Sequence, residues 1–247
     1  MPNKFVLSFL LLLVAISNQL HAQQDSITVV SEEWPPYNYT NEQGEFTGIS
    51  TEIVKAVLAE AKLNYHIEVY PWSRAFSMAR DNKNTLLYTV YRVGDRLDKF
   101  QWICPLIKNE GFAVYALSNR NDVAFSNLGE AKKYRIGTLR SGGGYDVLKH
   151  AGFIVGENLD IATDEYANIR KLFKQRVDLI LQEVEPLKLR LKELGFAESA
   201  VKKVFSIVPE GGQVGCMAFS NDTPKVIVER VKTALKKVLS QRTVVTQ

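Results

Sequence analysis

Histidine and cysteine are scarce in this chain, three and two respectively in 247 residues. There is no C-x-x-C pair and no H-E-x-x-H, so ligand spacing argues for no metal site, and no cofactor motif takes its place. His21, His66 and His150 stand far apart, without a nucleophile elbow of the G-x-S-x-G kind, and Ser-His-Asp hydrolysis is not supported. Lysines and acids are interspersed rather than gathered into a basic block, so nucleic acid is not an expected partner. Internal repeats and low-complexity stretches are missing too. After the N-terminus, no apolar run approaches the ~20 residues that a membrane-spanning helix needs.

What is present begins with a leader. "MPNKFVLSFLLLLVAISNQLHA" has one lysine, an apolar run from Phe5 to Ile16 broken only by Ser8, and a small residue at Ala22. Those are the three zones of a secretory signal over residues 1–22, with cleavage expected after Ala22 and no lipoprotein cysteine at that point. About 225 residues then remain, enough for one large domain or two lobes of about 100 residues each. The formal net charge of +4 drops by one when Lys4 leaves with the leader. Export would allow Cys104 and Cys216 to pair. Both have apolar neighbours ("QWICPL", "QVGCMAF"), however, and they are expected as two buried thiols in different elements.

Short β-type runs then alternate with helical patterns. "ITVV", "YHIEVY" and "TLLYTVY" are separated by "STEIVKAVLAEAK" and "SRAFSMARDN". The rhythm repeats from "FAVYAL" to "VGCMAFS", and "TPKVIVERVKTALKKVLSQ" closes the chain as a helix. Strands alternating with helices of about ten residues define an α/β class, with sheets covered by helices. A boundary is expected near "CPLIKNEG", where a second set of strands and helices begins, and the closing helix can return to the first lobe.

Ligands in open α/β sheets sit beyond the carboxyl ends of strands. "SEEWPPYNYTNEQGEFTG", residues 31–48, follows the first strand and so falls at such an edge. Its plainest reading is a hairpin stiffened by Pro35 and Pro36 and turned at Gly44. Trp34 and Tyr37 would nevertheless be costly to leave in water, which points to a wall of a binding site.

Four segments in order resemble the family 3 solute-binding proteins. They are "WPPYNYTNEQGEFTGISTEIVKAVLAE", "TLLYTVYRVGDRLDKFQWICPLI", "YRIGTLRSGGGYDVLK" and "RVDLILQEVEP", spread from about Ile27 to the closing helix. The resemblance implies a two-lobed, type II periplasmic binding protein of the Venus-flytrap form, each lobe a mixed sheet flanked by helices. Lobe 1 would be residues 23–108 plus 220–247, and lobe 2 residues 109–219. Two crossings would allow hinge closure over a small-molecule ligand, an amino acid or related carboxylate. Delivery to an ABC transporter permease in the inner membrane, a periplasmic location and a monomeric state belong to the same implication.

The resemblance also assigns roles. Trp34 and Trp72 would sandwich the ligand, with cation–π attraction if it is cationic. Arg96 would take a ligand carboxylate with its planar fork. Tyr88, Thr89 and Tyr91 would line the pocket at a strand end. Ser141, Gly142 and Gly143 would offer backbone amides at a helix N-terminus. Glu183 stands where an aspartate usually accepts from the ligand ammonium, one methylene longer than usual. Two other readings remain open: a periplasmic lyase like cyclohexadienyl dehydratase, with Glu183 as general acid, and a ligand-presenting partner of a membrane sensor. No catalytic residue and no metal ligand is assigned.

With the lobes divided at residues 108 and 219, Cys104 and Cys216 would lie in different lobes. A bond between them would then restrict closure, so pairing is not expected.

Overall fold

The structure, a computed structural model, describes residues 26–108, 111–207 and 214–245. The expected leader, residues 1–22, lies outside these. Two five-stranded sheets dominate. In the first, β1 (Ser26–Ser31) runs parallel to β4 (Asn64–Val69) and β5 (Thr85–Tyr91), on either side of it. The remaining two strands are β6 (Phe100–Lys108) at the edge and β12 (Val214–Ser220), which enters antiparallel between β5 and β6. A short hairpin, β2 (Tyr39–Thr40) with β3 (Phe46–Thr47), decorates this lobe.

Helix α1 (Ile49–Glu60) covers one face because its apolar residues recur at helical spacing: Ile53, Val54, Val57 and Leu58 are all buried. Fully burying each such side chain contributes about 1.5–3 kcal/mol. The closing helix α6 (Lys225–Val245) joins the same core through Val231, Leu235 and Val238, so the chain end does return to the first lobe. On the other face α2 (Trp72–Asp81) packs Ala75, Phe76 and Ala79 against Val30, Leu87, Val90 and Ala218.

The second sheet has the order β11-β7-β10-β8-β9. Its strands are β7 (Phe112–Leu117), β8 (Ile136–Leu139), β9 (Leu159–Ala162), β10 (Leu179–Glu183) and β11 (Val201–Ile207). Strand β7 is the single antiparallel member, pairing with β10 and β11. Helices α3 (Gly143–His150), α4 (Glu165–Phe173) and α5 (Val184–Glu193) flank it. Helix α4 starts cleanly because Asp164 accepts a hydrogen bond from the Ala167 amide at 2.7 Å. Each lobe is therefore a mixed sheet with helices, the type II periplasmic-binding-protein fold.

Two expectations change here. Strand β12 belongs to the first sheet, so the first lobe takes up the chain again at residue 214 rather than 220. As a result Cys104 in β6 and Cys216 in β12 lie on neighbouring strands of one lobe, where they form a disulfide with Cα atoms 4.7 Å apart. The expectation of two separate thiols rested on their apolar neighbours and on placing them in different lobes. Strand β9, "LDIA", was not foreseen either; four residues are too few to show a period.

Candidate functional site

The strand ends and helix starts of both lobes converge on one cleft. Strand β1 ends at Ser31 and hands on to Glu32 and Trp34. The turn that follows is held by Trp34 N–H to the Asn38 carbonyl (2.6 Å) and Tyr37 N–H to the Trp34 carbonyl (2.9 Å). It is pinned onto α1 through the Ser50 amide and the Tyr37 carbonyl, 2.8 Å apart. Gly48 makes that approach workable: at φ +121°, a Cβ there would lie 2.4 Å from the Tyr37 carbonyl oxygen. Trp34 and Tyr37 meet edge-on at 5.1 Å, and both are buried.

Strand β5 supplies the next wall. Thr89 sits at φ +57°, and the register with β12 shifts there, so that Val90 opposes Cys216 while Tyr88 opposes Met217. Such a conformation is unusual for a β-branched residue, and a bulge of this kind re-aims side chains. Thr89 and Tyr91 line the cleft. Tyr88 does not: its hydroxyl shares a 2.8 Å hydrogen bond with Thr51 of α1, inside the first lobe. Tyr91 bridges the lobes, with Trp34 at 6.2 Å on one side and Phe112 of β7 at 4.7 Å on the other.

From the second lobe, Gly142, Gly143 and Gly144 line the cavity at the start of α3. A Cβ on Gly143 would come within 2.8 Å of Phe112 and 3.2 Å of Tyr91, so only glycine lets the backbone reach those rings. Ser141, at φ +55°, turns its carbonyl toward the first lobe and is not among the residues lining the cavity. That carbonyl accepts from Trp72 Nε1 at 2.6 Å and from Arg96 Nη2 at 2.7 Å.

Arg96 is 2% exposed and lies between the rings of Trp72 and Phe76, at 5.3 and 5.1 Å. Its Nε donates to Asp146 Oδ2 of α3 at 2.6 Å. Burial raises the Asp146 carboxyl above its ordinary value, although the Arg96 guanidinium opposes that shift. The guanidinium thus binds the second lobe directly, and only Nη1 is left without a hydrogen-bond partner. Trp34 and Trp72 both line the cavity, but the Trp72 indole N–H is spent on the lobe contact.

Acids dominate what remains. Glu183 caps the end of β10 and is buried. Loss of water lifts its carboxyl to about 8, helped by nearby Glu165 and opposed by Arg190. Glu32 reaches about 8 for the same first reason, with Arg190 pulling it down and Glu165 and Glu183 pushing it up. Glu165, which accepts from Gln182, is raised by burial as well. Three carboxyls therefore lie around the buried Arg190, and Arg96 acts on Glu32 as well. Sequence reasoning missed Glu32, Glu165, Arg190 and Asp146. One signal existed for Arg190: it lies seven residues after Glu183, two turns along the same helical face. Among the described residues, no group of His, Cys, Asp or Glu side chains could hold a metal ion, and no helix is long and apolar enough to cross a membrane.

The model of the bacterial extracellular solute-binding proteins, family 3, matches residues 27–245. The chain belongs to that family. Solved structures similar to this solute-binding protein share its fold at low identity. One is a histidine kinase sensor domain with similarity to periplasmic binding proteins (TM-score 0.75, 17% identity, 88% of this chain and 92% of that one). A second is an ancestral arginine-binding protein bound to arginine (TM-score 0.71, 15% identity, 87% and 93%). A third is the substrate-binding protein of an amino acid ABC transporter (TM-score 0.69, 15% identity, 87% and 94%). No curated protein sequence matches the solute-binding protein. Its cleft, with one wall from each lobe, encloses a cavity of about 40 Å³.

Proposed function

We propose that this protein is a periplasmic, monomeric solute receptor that closes its lobes over a small amine-bearing solute and presents it to an ABC transporter permease. The observation that carries this reading is the gathering of Glu32, Glu165 and Glu183 around Arg190 in one cavity, where the other cation, Arg96, is already paired with Asp146. A buried like-charge cluster is unfavourable alone and is relieved by a ligand that brings positive charge. Aromatic walls from Trp34 and Tyr91 add apolar contact and attraction for an ammonium. Closure follows from the size of the cavity, roughly three waters' worth of room, together with the direct bonds of Trp72 and Arg96 to the second lobe. A solute enters only when those bonds open.

The test is calorimetric titration of protein unfolded and refolded to strip carried ligand, with its disulfide oxidised, against amino acids, amines and dicarboxylates. Saturable binding of an amine-bearing compound, with compaction in small-angle scattering, is expected; binding of dicarboxylates alone would reject the reading. Delivery is tested by cross-linking the loaded protein in cells, where capture of a sensor kinase instead of a permease would replace transport with sensing. One observation favours a catalytic reading: a carboxyl near 8 at Glu183 keeps its proton at neutral pH and can act as a general acid. Turnover of prephenate or arogenate would put a lyase in place of the receptor.

A further inference from the structure

Building on that reading, we propose that the solute is a linear di- or polyamine with no carboxylate, lying along an acidic channel from the inner cavity to the cleft mouth. The first ground is the state of Arg96. Two of its three nitrogens are engaged across the cleft, Nε by Asp146 Oδ2 and Nη2 by the Ser141 carbonyl. A carboxylate needs two parallel N–H donors from such a fork. Asp146 and the Ser141 carbonyl already take two of the donors that a ligand carboxylate would need.

The second ground is charge. Arg190 is the second buried guanidinium among the described residues, and its Nε and Nη1 have no hydrogen-bond partner. It is not a vacant carboxylate anchor, because Glu32, Glu165 and Glu183 all act on it electrostatically. A ligand anion set there would lie against three carboxyl groups, Glu32, Glu165 and Glu183, that line the same cavity.

Shape is the third ground. The inner cavity of about 40 Å³ adjoins a second of about 370 Å³ at the mouth of the cleft, and the two share Glu32, Trp72, Leu139, Glu165 and Arg190. Glu33 and Asp164 line the outer cavity, while Glu183 lines only the inner one. Glu183 thus stands at the inner end and Glu33 with Asp164 at the outer one, while the shared waist carries Glu32, Glu165 and Arg190 beside the Trp72 and Leu139 side chains. Thr89 Oγ1, on a residue 2% exposed, lines the inner end without a hydrogen-bond partner and can accept from an ammonium. An aliphatic chain that runs along the Trp72 and Leu139 side chains, with an ammonium toward each end, meets acids at both ends and along the waist. An α-amino acid puts its carboxylate against one of the acid groups.

Matched pairs that differ only by the carboxylate decide the matter: ornithine and putrescine, lysine and cadaverine, arginine and agmatine, titrated calorimetrically at pH 8 into ligand-stripped protein. We expect each decarboxylated member to bind at least about tenfold more tightly, a difference of roughly 1.4 kcal/mol. Amino acids binding as tightly or more tightly would overturn the proposal and leave the receptor reading standing. Binding by neither series, with turnover or binding of another class, would remove both. Asp146→Asn should free Arg96 and narrow the gap within each pair; an unchanged gap would show that the Arg96 pairing does not exclude carboxylates. Should that variant fail to fold, Glu165→Gln serves in its place and is expected to weaken the diamine more than its amino acid. Equal losses in the two would count against the proposal.

Discussion

The two lobes follow one plan and are held together differently. Each has four strands in one direction and a single antiparallel strand, β12 in the first lobe and β7 in the second. In the first lobe that strand is bonded covalently to its neighbour through Cys104 and Cys216, and α6 covers the sheet. In the second lobe the equivalent strand is held by its ladders and by core packing of Ala113 and Tyr115 against Ile169, Leu172 and Leu187. The difference extends to the cleft. The first lobe offers rings and a guanidinium, Trp34, Trp72, Tyr91 and Arg96, whereas the second offers glycines, most of the acids and Arg190. A staple confined to one lobe leaves the motion between lobes free, and the sites of stability and of closure are thereby separated.

The sharpest way to break that separation is Arg96→Ala. The change leaves the half-buried Asp146 without its partner, and removing one partner of a fully buried pair costs about 3–5 kcal/mol, an upper bound here. The loss should fall on closure, so scattering should report an open form at solute concentrations that close the native protein. Retained closure would place the latch elsewhere. Next in size is removal of the disulfide by Cys104→Ser with Cys216→Ser. The bond closes a loop of sequence separation 112, and its loss should lower stability by about 2–5 kcal/mol in denaturant unfolding while solute affinity is kept. A comparable loss of affinity would show that the first lobe's staple also shapes the cleft.

Gly143→Ala probes the second lobe's side. Its new Cβ meets Phe112 and Tyr91, an overpacking of about 1–3 kcal/mol, and affinity should fall with little change in either lobe's unfolding. The last lever is pH. Glu32 and Glu183 titrate near 8 when folded, against an ordinary 4.5, so the folded state holds more protons than the unfolded one between those values. Stability of the unliganded protein should therefore decline as pH rises through that window, read as a falling melting temperature. Affinity for a cation should move the opposite way and strengthen toward pH 8, because the ligand favours the ionised carboxyls. The groups facing these two are Glu165, Arg190 and Arg96, and Glu165→Gln should flatten both trends.

Much of this was readable in the sequence where the signal is local. The run "TLLYTVY" is buried along its whole length and is β5; "EYANIRKLF" is α4 with Asp164 as its cap. The cost of exposing the Trp34 ring beyond a strand end left a binding role open, and the family resemblance turned it into a cleft wall. Tyr88 misled because the bulge at Thr89 has no sequence mark: neither glycine nor asparagine stands there, and both faces of β5 are buried. Asp146 was invisible as a partner of Arg96 because fifty residues separate them and only the meeting of the lobes pairs them.

By itself, then, the sequence determined the family, the alternation of strands and helices and the first wall of the cleft, since periodicity, turn chemistry and ordered motifs act over short stretches of chain. Only the tertiary structure decided that β12 returns to the first sheet, that Cys104 and Cys216 pair, and that Arg96 answers to Asp146 while three glutamates lie around Arg190. Those are contacts between distant segments, and their energies exist only after the two sheets have formed and closed upon one another.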